Sequence, residues 1–448
     1  MSFPRYPEYK DSGVEWLGQV PGHWAVKRLR FVAELNPSKS ETAGIERDTL
    51  VSFLPMDAIG EDGSLRLDVE KPVGELESGY TYFRDGDVTV AKITPCYENG
   101  KGALMLGLLN GIGFGTTELI VARPKAEEIT GPYLHYLFIS PDFRSLGESH
   151  MYGAGGQKRV PDAFVRNFAT AFPPVPEQTQ IAAFLDLETA KIDALVAEQR
   201  RLMALLKEKR QAVISHAVTR GLNPHAPMKP SGIEWLGDVP AHWELKRLKY
   251  LGDAITGLTY SPADVVEDDS NGTLVLRSSN VQRGLITFDD NVYVSAKIPE
   301  ELVTQVDDIL ICSRNGSRAL IGKNATIDKT SAGLTFGAFM TVFRSKHSAY
   351  LSCVLNSPLF EFQSGAFMTS TINQLTIGVL NNFEVPLPPK NEQTAIAAFL
   401  ATESNKFDTL TAEAQRAIDL LQERRTGLIS AAVTGQIDVR KITEKEAA

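Results

Sequence analysis

Three cysteines, Cys96, Cys312 and Cys353, are the strongest nucleophiles in this 448-residue chain, and they lie far apart with no CxxC pair. That spacing argues against a cysteine-based metal site and for a reducing, cytoplasmic setting. The seven histidines form no HExxH or comparable array. His23 and His242 have no metal partners nearby in sequence and read as structural hydrogen bonders. The pairs Gly100-Lys101 and Gly322-Lys323 lack the glycine five residues earlier that a phosphate-cradling loop requires. No Asn-Pro-Pro-Tyr-like methyltransferase motif is present. Glu244-Leu-Lys246 has the Glu-x-Lys form of a nuclease fragment, but it falls in a repeated block and reads as structural. The expected catalytic set and metal set are therefore both empty, and what remains is chemistry of binding.

The net charge of −9 counts against nucleic-acid binding for the chain as a whole. Locally the balance reverses. Between Ile309 and Lys346 stand Arg314, Arg318, Lys323, Lys329, Arg344 and Lys346 against one acid, Asp328. Such a run can neutralise phosphates while the rest stays acidic. Hydrophobic content of 43% is that of a soluble globular protein. No apolar run reaches the eighteen or so residues that a membrane span needs, and the first residues do not read as a signal peptide.

The elements that must position these residues come in two copies. Ser12-Gly-Val-Glu-Trp-Leu-Gly-Gln-Val-Pro-Gly-His-Trp returns as Ser231-Gly-Ile-Glu-Trp-Leu-Gly-Asp-Val-Pro-Ala-His-Trp, with 13 of 19 positions identical over 12–30 and 231–249. A second block, 177–219, returns at 392–434 with 24 of 43 identical. Between the blocks lie 31–176 and 250–391, similar in length and hard to align. Two like frames thus carry two unlike inserts. The four tryptophans Trp16, Trp24, Trp235 and Trp243 sit in the frame and read as anchors, because their surroundings repeat where specificity should not.

Within the inserts, Asp85-Gly-Asp-Val-Thr-Val-Ala-Lys-Ile-Thr-Pro and Val306-Asp-Asp-Ile-Leu-Ile-Cys-Ser-Arg-Asn-Gly each read as a turn entering a buried strand, and Thr273-Leu-Val-Leu-Arg as another. Asn110-Gly-Ile-Gly-Phe-Gly reads as a loop or a close backbone approach. Each insert ends in a proline stop, Phe172-Pro-Pro-Val-Pro and Val385-Pro-Leu-Pro-Pro. Sustained 4-3 apolar spacing then predicts two long helices of roughly 60 Å. Glu188 and Glu403 fall at the third seam position, Lys209 and Arg424 at the ninth. Antiparallel packing would pair Glu188 with Arg424 and Lys209 with Glu403, whereas parallel packing would set like charges together. The expected organisation is a recognition domain over 1–176, a helix over 177–220, a linker and second domain over 221–391, a helix over 392–435 and a tail over 436–448. The fold class is α/β: two α/β domains separated by two long helices in an antiparallel coiled coil, with a pseudo-twofold internal repeat.

A duplicated frame of variable domain and long helix resembles the specificity subunits of Type I restriction-modification enzymes. The resemblance spans the whole chain. It is carried by Trp16-Leu-Gly with Pro21-Gly-His-Trp, Ala91-Lys-Ile-Thr-Pro, and Pro173-Pro-Val-Pro-Glu-Gln, then by Trp235-Leu-Gly with Pro240-Ala-His-Trp, Cys312-Ser-Arg-Asn-Gly-Ser, and Pro388-Pro-Lys-Asn-Glu-Gln. It implies a non-catalytic subunit that reads an asymmetric, bipartite site on double-stranded DNA through two target-recognition domains. The helices would set the spacing and dock two modification (methyltransferase) subunits, which restriction (motor and nuclease) subunits then join. S-adenosylmethionine, ATP and Mg would belong to those partners, with no cofactor in this chain.

Base readout needs Arg, Lys, Asn, Gln, Ser or Thr on loops or helix ends. The candidates in the first insert are Lys92, Thr94, Tyr97, Asn99 and Lys101, then Gln157, Lys158 and Arg159. In the second they are Arg277, Asn280, Arg283, Arg314, Asn315, Ser317 and Arg318, then Thr369, Ser370, Thr371, Asn373 and Gln374. A rival reading, favoured by the acidic charge, is a duplicated coiled-coil scaffold that binds proteins instead of DNA.

Overall fold

The computed structural model describes residues 3–442 except 155, 235, 269 and 368–373, so Trp235 lies outside the described residues. The chain forms two compact units. One runs from the start of the chain to Gln199 and resumes at Arg416; the other is Arg200–Gln415. No described helix is long and apolar enough to cross a membrane.

In the first unit, Val88–Ala91 is buried at all four positions, as a strand rich in β-branched residues and covered on both faces should be. It lies between Leu119–Pro124 and Gly102–Leu104, with Ala33–Leu35 on the outer edge of Leu119–Pro124; all three pairings are antiparallel. A second sheet orders Glu70–Pro72, Leu50–Leu54, Ile112–Gly115 and Thr81–Arg84, with 50–54 and 112–115 parallel. The glycine-rich stretch at 110–115 is thus a strand over Ile112–Gly115, and the expectation of a loop is corrected there. The close approach does occur: a Cβ on Gly113 would lie 2.3 Å from the Phe83 ring.

The second unit repeats this plan. Asp253–Thr256, Met340–Arg344, Ile309–Cys312 and Asn324–Thr326 form a sheet in the same order, and Thr273–Leu276 runs parallel to Thr335–Phe336 in the other. Inserts that resist alignment therefore share one architecture. In each, the aspartate before the buried strand grips an arginine on its neighbour. Arg123 donates from Nε and Nη2 to Asp87 at 2.7 and 2.8 Å, and Arg344 donates the same way to Asp308 at 2.8 and 2.7 Å. Both aspartates are buried. A buried fork of this kind fixes strand register more than it adds stability.

The long helices are Val175–Arg220 and Lys390–Val433. Each unit contains the start of one and the end of the other, so they pair antiparallel. The ion pairs that tie them differ from those the 4-3 spacing predicts. Glu188 instead bonds Lys191 on its own helix, and Glu403 bonds Lys406. Cross-helix pairs include Asp193–Arg425 at 3.0 Å in the first unit and Arg210–Asp408 at 2.6 Å in the second. The reason is drift. An α-helix turns every 3.6 residues, so a strict seven-residue reading wanders off the buried face unless the helices supercoil to follow it. Leu195 and Leu202 are exposed, while Val196, directly after Leu195, is buried. Lys209 and Arg424 likewise face outward, and the next residue in each helix, Arg210 or Arg425, turns inward. The two observed pairs are copies of one another, since Asp408 and Arg425 stand 215 positions after Asp193 and Arg210.

Two tests come from this packing. Asp193→Arg lowers stability by about 1 kcal/mol, as expected for a partly exposed pair, and adding Arg425→Asp recovers most of it. The matching cycle at Glu188 and Arg424 shows no coupling in chemical denaturation. His135, on the helix Gly131–Ile139, has its Nδ1 shielded and without a partner, and burial pushes its pKa down to about 4. Unfolding lets it bind a proton at an ordinary pKa of about 6.5, so stability is full above that pH and falls as pH drops towards 4. His135→Leu flattens this part of the acid-denaturation profile, read as melting temperature against pH.

Candidate nucleic-acid interface

Each insert is closed by its frame. Ala25–Arg28 pairs with Ala169–Phe172, and Glu244–Arg247 with Glu384–Leu387, so the strand after each His-Trp meets the strand before each Pro-Pro. The long helix begins there, and its first glutamate reaches back. Glu177 accepts from Trp24 Nε1 at 3.0 Å and faces His23 Nε2 at 2.7 Å; Glu392 does the same with Trp243 at 3.0 Å and His242 at 2.7 Å. The adjacent glutamine turns its amide to the proline carbonyl, Gln178 to Pro173 at 2.9 Å and Gln393 to Pro388 at 2.7 Å. The repeated motifs are thus the two sides of one clasp, in which Trp24 and Trp243 are fully buried. Neither tryptophan is available for stacking on bases.

The frame holds three loop segments together in each insert. In the first, Lys92 N donates to the Glu118 carbonyl at 2.8 Å and Val160 N to the Lys92 carbonyl at 2.8 Å. In the second, Ser313 N donates to the Phe339 carbonyl at 3.0 Å and Leu375 N to the Ser313 carbonyl at 2.7 Å. Isolated bridges pair Ile93 with Arg159, and Arg314 with Gln374. The backbone is the same in both; the side chains are not. Arg159 forks onto Glu118, Nε to Oε2 at 2.9 Å and Nη2 to Oε1 at 2.7 Å, and holds that carboxyl below its usual range. Arg314 lies over the Phe339 ring, 5.3 Å from its centre, and both residues are exposed.

Several sequence candidates gather at these crossings. Thr94 Oγ1 donates to the Lys158 carbonyl at 3.0 Å and accepts from Lys158 N at 2.7 Å, placing Lys92, Gln157, Lys158 and Arg159 along one loop junction. Ser317 and Arg318 are exposed beyond Arg314, and Asn315 donates to Ser278 Oγ at 3.1 Å. Arg283 is exposed with a left-handed backbone. Others are committed elsewhere. Tyr97 is buried with its hydroxyl on the Phe143 carbonyl at 2.9 Å, and Asn280 is buried with its amide on the Thr287 and Asp290 carbonyls. These two are corrected to structural roles, because neither can reach a groove. Lys101 caps the Met56 carbonyl, Asn99 bonds Glu61, and Arg277 pairs with Asp290. Thr369, Ser370, Thr371 and Asn373 lie outside the described residues, whereas Gln374 is described and exposed. Glu118 and Phe339 are absent from the sequence candidates. The available signal was positional: each directly precedes a strand-forming run ending in arginine, Leu119–Arg123 or Met340–Arg344.

Comparison with known proteins bears on this duplicated geometry. A model described as the Type I restriction modification DNA specificity domain matches residues 240–419, the second insert with most of its helix. The specificity subunit of the EcoAI Type I restriction enzyme of Escherichia coli is 42% identical over 198 residues, 42% of this chain and 33% of that one. The putative MjaX specificity subunit of Methanocaldococcus jannaschii is 22% identical over 450 residues, covering 95% of this chain and 96% of the other. The chain is thus similar to the Type I specificity subunits. It spans a third of the length of the Escherichia coli relatives EcoAI and EcoEI. In fold, it matches a chain solved in work on complex assembly and conformational transition of the type I R-M system, with a TM-score of 0.75 at 20% identity over 92% of this chain and 98% of that one. It also matches the HsdS subunit of Thermoanaerobacter tengcongensis, with a TM-score of 0.56 at 20% identity over 93% and 98%.

The clasp gives the chain an uneven pair of joints. Glu177 is buried and also accepts from Tyr6 Oη at 2.6 Å, while Glu392 is more exposed and lacks a tyrosine at the matching place. Glu177→Ala strands three donors and costs about 3 kcal/mol, and Glu392→Ala about 1 kcal/mol. Urea unfolding of the two variants measures the difference.

Proposed function

We propose that this chain is the DNA-reading subunit of a Type I restriction-modification enzyme, binding one half of a split, asymmetric target with each insert. The observation that carries the reading is the pair of matched loop crossings. One backbone arrangement, held by one repeated clasp, presents Arg159 with Glu118 in one insert and Arg314 with Phe339 in the other. A scaffold that bound the same protein twice would have no use for different side chains at matching places. Two unlike half-sites require them.

On this reading the chain provides the address and no catalytic group. Methyl transfer with S-adenosylmethionine, and ATP- and Mg-dependent translocation and cleavage, fall to two modification subunits and the restriction subunits docked beside it in the cytoplasm. The exposed Lys158, Arg283 and Arg318 are the phosphate contacts that would offset an acidic chain.

A randomised-duplex selection with the chain co-purified with its modification partners tests this. Two short, unlike half-sites at a fixed separation are expected; recovery of no preferred sequence overturns it. Lys158→Ala should leave the selected sequence unchanged while lowering the slope of log affinity against log salt by about 0.9.

A further inference from the structure

The matched crossings carry more than a general case for DNA reading. Each brings together three chain segments: the end of the buried strand, the residue before its neighbour, and the loop ahead of the proline stop. The three equivalent positions are Ile93, Glu118 and Arg159 in the first insert and Arg314, Phe339 and Gln374 in the second. Both sets hold one arginine, but on different segments. In the first it comes from the loop before the proline stop, and in the second from the end of the buried strand.

The support for each guanidinium also differs. Glu118 takes the Nε edge of Arg159 and one hydrogen of Nη2, which leaves the far edge, shared by Nη1 and Nη2, with paired donors. That edge matches the O6 and N7 acceptors of guanine in the major groove. Arg314 is steadied by a ring instead of a carboxylate. The Phe339 carbonyl accepts from Ser313 N, Ser313 Oγ and Arg314 N at 3.0, 3.0 and 3.1 Å, which fixes the backbone and leaves the ring outside under the guanidinium. An exposed phenylalanine on so constrained a loop has no packing role in the core. Stacking limits the motion of Arg314 while keeping all its N–H groups available.

We propose that Arg159 and Arg314 each read a guanine, one per half-site, at different offsets within the two half-sites, and that Glu118 and Phe339 are the positioning residues that set them. The inference rests on the DNA-reading role proposed above and names the residues that determine specificity within it.

The test is the same duplex selection, run on the complex with wild-type chain and with four variants: Arg159→Ala, Glu118→Gln, Arg314→Ala and Phe339→Ala. Arg159→Ala and Glu118→Gln should relax the same guanine of one half-site, by roughly tenfold to a hundredfold in preference, and leave the other half-site intact. Arg314→Ala and Phe339→Ala should relax one guanine in the other half-site only. Thermal melts check folding, and Phe339→Ala, which removes an exposed ring, should melt as wild type does. A bipartite wild-type site that all four variants reproduce overturns this assignment and leaves the DNA-reading role standing. A drop in affinity with an unchanged sequence does the same, since it marks phosphate contacts. A wild-type selection with no preferred sequence overturns both.

Discussion

The structure depends on a carboxylate that each long helix extends back to the domain ahead of it. Glu177 and Glu392 stand in the first turn of their helices and accept hydrogen bonds from a tryptophan and a histidine just ahead of the insert's first strand. The carboxylate there also suits the helix dipole, whose N-terminal end favours negative charge. One group therefore closes the insert, seats the helix and fixes the angle between them. The glutamine beside it holds the proline carbonyl, so the chain cannot slip at the junction. With the domain ends clamped, the loops between them are free to vary in sequence.

That division of labour explains which ion pairs are buried and which are exposed. The Arg123–Asp87 and Arg344–Asp308 forks lie inside and recur with nearly the same geometry. They hold the central strands in register, where one residue of slip would turn every side chain to the wrong face. The Arg159–Glu118 pair is at the surface, and its counterpart is no ion pair at all. Recurrence marks the architecture, and divergence at equivalent positions is what the proposed reading of two unlike half-sites requires.

Much of this was legible in the amino-acid order. The duplication exposed the frame, strand-forming runs gave Val88–Ala91 and Ile309–Cys312, and sustained 4-3 spacing gave two long helices, whose antiparallel sense was read from seam charges that do not themselves pair. The exact partners were not legible. Choosing Lys209 over Arg210 depends on a rotation of about 100° between successive residues, and strict heptads cannot resolve it over a helix of 46 residues. Tyr97 and Asn280 looked like readers because they are side chains able to hydrogen-bond in segments that read as loops. Their burial is set by residues such as Phe143 and Asp290 that approach only in three dimensions. Glu118 was hidden for the converse reason, since a lone carboxylate suggests a positioning role only once its arginine is seen beside it.

The last described residues bear on how the chain is made. Asp438 N donates to the Pro4 carbonyl at 2.8 Å, Tyr9 Oη to the Gly435 carbonyl at 3.0 Å, and Tyr133 Oη to the Val433 carbonyl at 3.2 Å. The unit that holds the earliest residues is therefore completed by the latest ones. During synthesis the segment up to Gln199 leaves the ribosome first, while Arg416 and the residues beyond it are still unmade. At about 5–20 residues per second, that interval lasts on the order of ten to forty seconds. The unit formed by Arg200–Gln415, though later in the chain, has all its parts sooner. Order of synthesis and order of completion are reversed, and until it is completed the nascent first unit lacks the Gly435 and Val433 carbonyls that Tyr9 and Tyr133 bond.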